Sequence, residues 1–225
     1  MRKKYICILV AVIGVCSLSG CGSSAKKTEE EQVTIGVVTK SKSSEYWLSV
    51  CDGMKDAAEK YHADVVILSP DSETEEEVQK NMIRDLLKTD IQAMAVSPID
   101  SYECEDYLNF AREKGISVYA CDTPIEDSEI PYIGIDNEKL GYELGEQLAK
   151  ALDHKGKIGV IAGDFKQAGH RMRVAGFEKY MEKEPGIIIE MVRNGYSNMR
   201  VSQKDVDEIL SLIHISEPTR RTPIS

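Results

Sequence analysis

Between Val33 and Ile209, short runs rich in β-branched residues alternate with amphipathic helical segments, and this alternation restricts the chain to few architectures. Neighbouring parallel strands need a crossover of roughly a dozen or more residues, and a helix is the compact way to build one. "VTIGVVT" (Val33 to Thr39) reads as a strand, and the segment after it sets Trp47, Val50, Met54, Ala58 and Tyr61 along one helical stripe. "DVVILS" (Asp64 to Ser69) leads to a helix with Val78, Met82 and Leu86 inward, and "QAMAVS" (Gln92 to Ser97) to one with Cys104, Tyr107, Leu108 and Ala111. "SVYACD" and the shorter "YIGID" follow, then a helix patterned by Leu140, Leu144 and Leu148. The strand "KIGVIAG" (Lys157 to Gly163), a helix through Phe177 and Met181, the strand "GIIIEMV" (Gly186 to Val192) and a helix from Arg200 to Ile209 complete the series. The pattern predicts an α/β fold with a doubly wound parallel sheet, one full lobe and the start of another.

Ligands of such sheets bind beyond the carboxyl ends of the strands, so the residues that follow each strand carry the functional information. Here they are polar and aromatic: "KSKSSEYW" from Lys40, "PID" from Pro98, "DTP" from Asp122, "DN" from Asp136 and "GDFKQAGHRMR" from Gly163. The glycines of "GVIAGDFKQAG" have the wrong spacing for a phosphate cradle, so no nucleotide cofactor is expected. With 28 Lys and Arg against 38 Asp and Glu, the chain is too acidic to suit nucleic acid or an anionic surface. Cys51, Cys104 and Cys121 are odd in number and lack metal-ligand spacing, so they are expected to be small buried apolar side chains, with no bound metal.

Arg2, Lys3 and Lys4 precede an apolar run from Tyr5 to Val15 that is too short to span a bilayer and has the layout of an export signal. The run closes on "LSGC" (Leu18 to Cys21), which resembles the lipobox of bacterial lipoproteins, in which the cysteine becomes the lipidated first residue. Residues 1–20 are therefore expected to be a signal peptide, and lipid on Cys21 would hold the protein at the outer face of a membrane. The next stretch, residues 21–32, contains "GSSAKKTEEEQ" and reads as a flexible tether reaching about 18 Å.

From about Val33 to Ile209 the chain resembles the sugar-binding members of the type-I periplasmic binding protein superfamily, the ribose- and galactose-binding receptors of ATP-binding-cassette (ABC) importers. The matching stretches are "TIGVV", "EYWLSVCDGMKDAAEKY", "AVSPIDS", "GISVYACDTP", "GIDNEKLGYELGEQLA" and "GHRMRVAGF", in the family's order and spacing. The resemblance implies two lobes that close on a sugar, residues 33–136 forming the first and 137–209 part of the second. It also implies a monomer that hands the sugar to ABC permease subunits and performs no chemistry on it.

A sugar ring has apolar C–H faces and a rim of hydroxyls, so its site needs aromatic plates and planar polar partners. By the resemblance, Tyr46 and Trp47 match the stacking aromatics, although Trp47 also opens the core stripe of its helix. Ser43, with Ser44, stands where the family often has Asn, and a turn or cap role fits as well. Asp122 matches the carboxylate that accepts sugar hydroxyls. Thr123 replaces the arginine that ribose binders carry next to it, which argues against ribose itself. Asp136 and Asn137 lie where the first inter-lobe crossover begins and suit a hinge or helix cap as much as a ligand contact. Arg171 matches the arginine of the second lobe that bonds sugar hydroxyls, whereas Arg173 is expected on a solvated helix face. Tyr196 to Asn198 align with another contact loop.

An exported hydrolase would need a nucleophile with its base or two opposed carboxylates, and no such pair is spaced here; His170 has no partner for acid–base work. The remaining alternative is a sensing module of the same fold for a membrane histidine kinase or chemoreceptor. At the other end, "LSLIHISEPTR" (Leu210 to Arg220) resembles the translation of a sequencing-library adapter. Residues 210–225 are accordingly expected to be a non-native tail, on a second lobe that is incomplete and bares an apolar sheet face. The apolar spacing of Val206 and Ile209 runs on through Leu210, Leu212 and Ile213, so the last helix is expected to reach about Ile213, with Ser216 to Ser225 loose.

The lipobox reading makes a direct prediction. Cys21→Ala leaves no thiol for the thioether, so radiolabelled fatty acid supplied to expressing cells should label the wild type and not the variant.

Overall fold

The computed structural model describes residues 32–215, folded as one five-stranded and one two-stranded sheet flanked by helices. The signal peptide, Cys21, nearly all of the tether and residues 216–225 lie outside the described residues. In order, β1 (Thr34–Val38), α1 (Glu45–Tyr61), β2 (Asp64–Leu68), α2 (Glu76–Leu86), β3 (Ala93–Val96), α3 (Glu105–Lys114), β4 (Ser117–Cys121) and β5 (Tyr132–Ile133) form the first lobe. The second contains α4 (Asn137–Ala151), β6 (Gly156–Ala162), α5 (Ala168–Met181), β7 (Ile187–Asn194) and α6 (Met199–Ile215). Among the described residues no helix is long and apolar enough to cross a membrane.

The first sheet has the order β2-β1-β3-β4-β5 and is parallel throughout. The chain moves one way from β1 to β2 and the other way from β2 to β3, so right-handed crossovers put α1 on one face and α2 and α3 on the other. Val38, Met94, Val96, Val118 and Ala120 line the face that packs on α2 and α3, against Ile83, Leu86, Tyr107 and Ala111. Gly36 belongs to that face too: a Cβ there would stand 2.6 Å from a methyl of Leu86.

Two helices are rotated somewhat from the face their apolar spacing suggests, although Met82, Leu86 and Leu148 pack on the cores as expected. In α2 the buried positions are Gln79, Ile83 and Leu86, while Val78 is 43% exposed. Gln79 decides the rotation, because its amide donates to the carbonyls of Thr39 (2.9 Å) and Ser97 (2.8 Å) and accepts from the Ile99 amide (2.9 Å). Those backbone groups lie past the ends of β1 and β3, where the ladder no longer satisfies them. In α4 the buried positions are Asn137, Gly141, Gly145 and Ala149, and Leu140 and Leu144 face outward.

The small α4 face exists because α5 lies almost against it. A Cβ on Gly141 would fall 1.9 Å from the Arg173 carbonyl, and one on Gly176 would fall 1.9 Å from the Glu138 carbonyl. β6 and β7 pair in parallel over seven positions from Gly156 and Ile187, with an irregularity between Ile158 and Gly159. Ile158, Phe177, Met181 and Ile187 build the second core. The expected bare face is small: among the apolar residues of β6 and β7 only Ile188 is exposed, and α6 packs on both strands. α6 runs to Ile215, two residues past the expected end. Cys51, Cys104 and Cys121 are free thiols, and of the three only Cys104 is fully buried.

Glycine is a poor helix former, so Gly141→Ala and Gly176→Ala should each gain a little intrinsic helix stability. The contact with a backbone carbonyl is larger and opposes that gain. Each substitution should destabilise the protein by about 1–3 kcal/mol in urea unfolding, whereas Gly53→Ala in α1, where a Cβ meets nothing within 4 Å, should be neutral or stabilising.

Candidate functional site

The loops after β1, β2, β4, β5, β6 and β7, with the first turns of α5, converge on a cleft of about 930 Å³ between the two sheets. The first lobe lines it with Lys40, Ser43, Tyr46, Trp47, Glu73, Asp122 and Thr123, and Ile133 and Ile135 stand at its side. From the second lobe come Gly163, Gly169, His170, Arg173, Ser197 and Met199.

Lys40 and Asp122 form the polar centre. Lys40 Nζ lies 2.9 Å from Asp122 Oδ2, 2.8 Å from Thr123 Oγ1 and 2.7 Å from Gln167 Oε1, and its side chain is 5% exposed. These three acceptors use all three ammonium protons. Asp122 also accepts from Tyr46 Oη (2.8 Å) and Thr123 Oγ1 (3.0 Å). Burial would raise the Asp122 carboxyl, but the Lys40 charge and the bonds from Lys40, Tyr46 and Thr123 outweigh it and hold the group below its ordinary value. The same environment acts on Tyr46, which burial and then its bond to Asp122 push up to about 12. Asp122 adopts φ 63, a left-handed conformation that Asp tolerates better than most residues and that is common where a backbone is bent to serve a site.

The aromatic pair is asymmetric. Trp47 is 1% exposed, its indole N–H donates to Glu73 (3.0 Å), and the Lys40 ammonium lies 5.4 Å from its ring centre. Trp47 therefore backs the cleft. Tyr46 stands edge-on to it, 55% exposed, as part of the cleft lining. Ser43 Oγ donates to the Asp71 carbonyl (2.9 Å), and Ser44 is the N-cap of α1 without a side-chain capping bond. Ser197 lines the cleft, and Tyr196 beside it is more than half exposed.

Two of the expected residues stand elsewhere. Arg171 does not line the cleft; its guanidinium lies 3.0 Å from Glu126 Oε2, donates to the Phe165 carbonyl and covers the Tyr102 ring at 4.2 Å. Arg173 lines it instead. Residues two apart on a helix point about 200° apart, so only one of these arginines can face the cleft. Asn137 is fully buried behind the cleft wall, where its amide donates to Tyr132 Oη (3.1 Å) and accepts from Arg173 Nε (2.7 Å). It orients the arginine. Asp136 caps α4, accepting from the Lys139 amide at 3.0 Å.

Lys40, Glu73 and Gln167 did not stand out in the sequence, and Arg173, expected on a solvated helix face, instead lines the cleft and bonds Asn137. Lys40 directly follows the first strand, and that position was the available signal. Glu73 and Gln167 lie in loops whose course depends on the tertiary fold. His170 also lines the cleft; burial and then the charges of Arg173 and Lys40 lower its pKa below 6.5, so near neutral pH the ring has one donor and one acceptor.

An acidic residue, a guanidinium and an aromatic ring thus face one another across two sheets, and the sequence matches the periplasmic binding protein domain over residues 35–215. The chain belongs to the type-I periplasmic binding proteins. It is 29% identical over 186 residues to the D-ribose/D-allose-binding protein of Pseudomonas aeruginosa, a match covering 78% of this chain and 58% of that protein. A solute-binding protein of an ABC transporter from Burkholderia multivorans superposes with a TM-score of 0.76 at 22% identity, over 80% of this chain and 67% of its own. One from Burkholderia graminis in complex with D-arabinose gives 0.74 at 25%, over 80% and 62%. The chain therefore spans somewhat more than half the length of the curated relative.

Because the Asp122 pKa is depressed on folding, its contribution to stability is complete above the ordinary carboxylate value and is lost as pH falls through the lower folded one. Thermal unfolding followed below about pH 4 should show that loss in the wild type and less of it in Asp122→Asn. In Lys40→Met burial acts without the ion pair, so a ¹³C titration of the Asp122 carboxyl should move upward; an unmoved midpoint would contradict the assignment.

Proposed function

We propose that the protein is an extracytoplasmic lipoprotein that captures a monosaccharide or similar polyol between its lobes and delivers it to an ABC importer without altering it. The observation that carries this reading is the cleft itself, in which Tyr46, Asp122 and Arg173 face one another from different elements. An aromatic ring suits the C–H face of a sugar, while a carboxylate and a guanidinium bond hydroxyls in pairs. Thr123, buried beside Asp122, donates to that carboxylate and accepts from Lys40, and so helps to orient it. The names of the relatives support a pentose, an allose-like hexose or a polyol as the ligand class. Export and lipidation at Cys21 rest on the N-terminal pattern, and transport rests on the solute-binding relatives.

A second reading has one observation in its favour. The fructose-binding domain of a hybrid two-component system shares the fold with a TM-score of 0.75, so a sensing role for the same cleft suits this architecture. Uptake of labelled sugar by cells lacking the gene separates the two readings, since transport would fall and sensing would leave it intact.

Calorimetric titration of the protein with D-ribose, D-allose, D-arabinose, D-xylose and myo-inositol should find at least one ligand. Asp122→Ala and Arg173→Ala should each weaken it by about 10- to 100-fold, the scale of losing a hydrogen bond to a charged group. Absence of binding across the panel, or unchanged affinity in both variants, would move the ligand elsewhere.

A further inference from the structure

The lobes meet a second time, along a seam outside the cleft. Ser101, fully buried after β3, donates its amide to the Lys166 carbonyl (2.9 Å), and its hydroxyl accepts from the Ala168 amide (2.9 Å). The Lys166 ammonium lies 2.6 Å from Glu76 and 3.3 Å from Asp100. Arg171 completes the seam on Glu126 and the Tyr102 ring. Every one of these contacts joins the entry of α5 to the first lobe, and none of the residues making them lines the cleft.

The chemistry of the seam is unlike that of the two cores. An apolar seam would bind the lobes together permanently, since opening it would expose hydrocarbon to water. This one is made of ion pairs and polar bonds. Asp100 and Ser101 are buried in it, but Lys166 is half exposed and the Arg171–Glu126 pair partly exposed, so water and salt can reach those outer pairs and replace them at small cost. We infer that the seam is an ionic clasp that holds the lobes together before any ligand enters and, on the reading of the cleft as a sugar site, sets the affinity of that site. The ligand is enclosed only when the lobes are together, so apparent affinity scales with the fraction of molecules already closed. A clasp distant from the ligand therefore tunes affinity without touching it.

One consequence separates the clasp from ordinary site chemistry. The sugar is uncharged, yet raising the ionic strength screens the clasp pairs and opens the lobes, so its affinity should fall with salt. Calorimetry of the whole protein between 20 and 500 mM sodium chloride should show this, with a weaker dependence in Lys166→Met. Glu126→Arg and Arg171→Glu should each weaken binding by roughly fivefold. The double swap restores the pair with its charges reversed and should recover most of the loss, which misfolding would not do. Dyes on the two lobes, read by energy transfer without ligand, should report wider separation in the single variants and at high salt. Salt-independent affinity, or single swaps with wild-type lobe separation, would overturn the clasp. If no sugar binds while separation responds as described, the clasp stands and the reading of the cleft as a sugar site fails.

Discussion

Parallel strands all exit from one edge of their sheet, and their last backbone groups have no ladder partner there. Whatever satisfies those groups decides what the edge can become. In the first lobe the agent is Gln79, whose single amide serves the exits of β1 and β3 at the point where the chain reverses direction. With these exits pinned by a side chain from beneath, the loops beyond them are free to carry Lys40, Tyr46 and Trp47 outward on one side and Asp100 and Ser101 on the other. The cleft and the seam both start from that division.

Across the cleft, electrostatics couples what topology has only brought near. Lys40 belongs to the first lobe, yet one of its three bonds ends on Gln167 in the second. Asp122 is held below its ordinary carboxylate value against the effect of its own burial, and Lys40, Tyr46 and Thr123, which keep it so, all line the cleft. Asn137 extends the coupling through the crossover, since it bonds Tyr132 on one side and Arg173 on the other. The close contact of α4 and α5 at Gly141 and Gly176 makes this geometry possible, because a wider helix pair would carry Arg173 out of reach of Asn137.

The cleft centre and the seam divide the work by polarity and exposure. Lys40 and Asp122 are nearly enclosed, where an ion pair is strong and directional but costly to leave unmatched. Lys166 and Arg171 are more exposed, where an ion pair is weak and sensitive to salt. The first arrangement suits recognition of one ligand, and the second suits an equilibrium between two lobe positions.

The sequence by itself determined the class of fold, because a period of two alternating with a period near 3.6 admits little besides a parallel sheet with helical crossovers. It also determined that polar and aromatic residues would follow the strands, and Tyr46, Trp47 and Asp122, which stand at those positions, line the cleft. Only the tertiary structure decided the rotation of the helices. Val78 and Leu140 fit an apolar stripe, yet Gln79 and Gly141 turn inward, since unsatisfied carbonyls and a close helix neighbour outweigh one exposed aliphatic side chain. The same cause chose Arg173 over Arg171. Sequence spacing says that two residues on a helix point apart, but which of them meets the cleft depends on where Asn137 and Glu126 stand, and those positions come from distant parts of the chain.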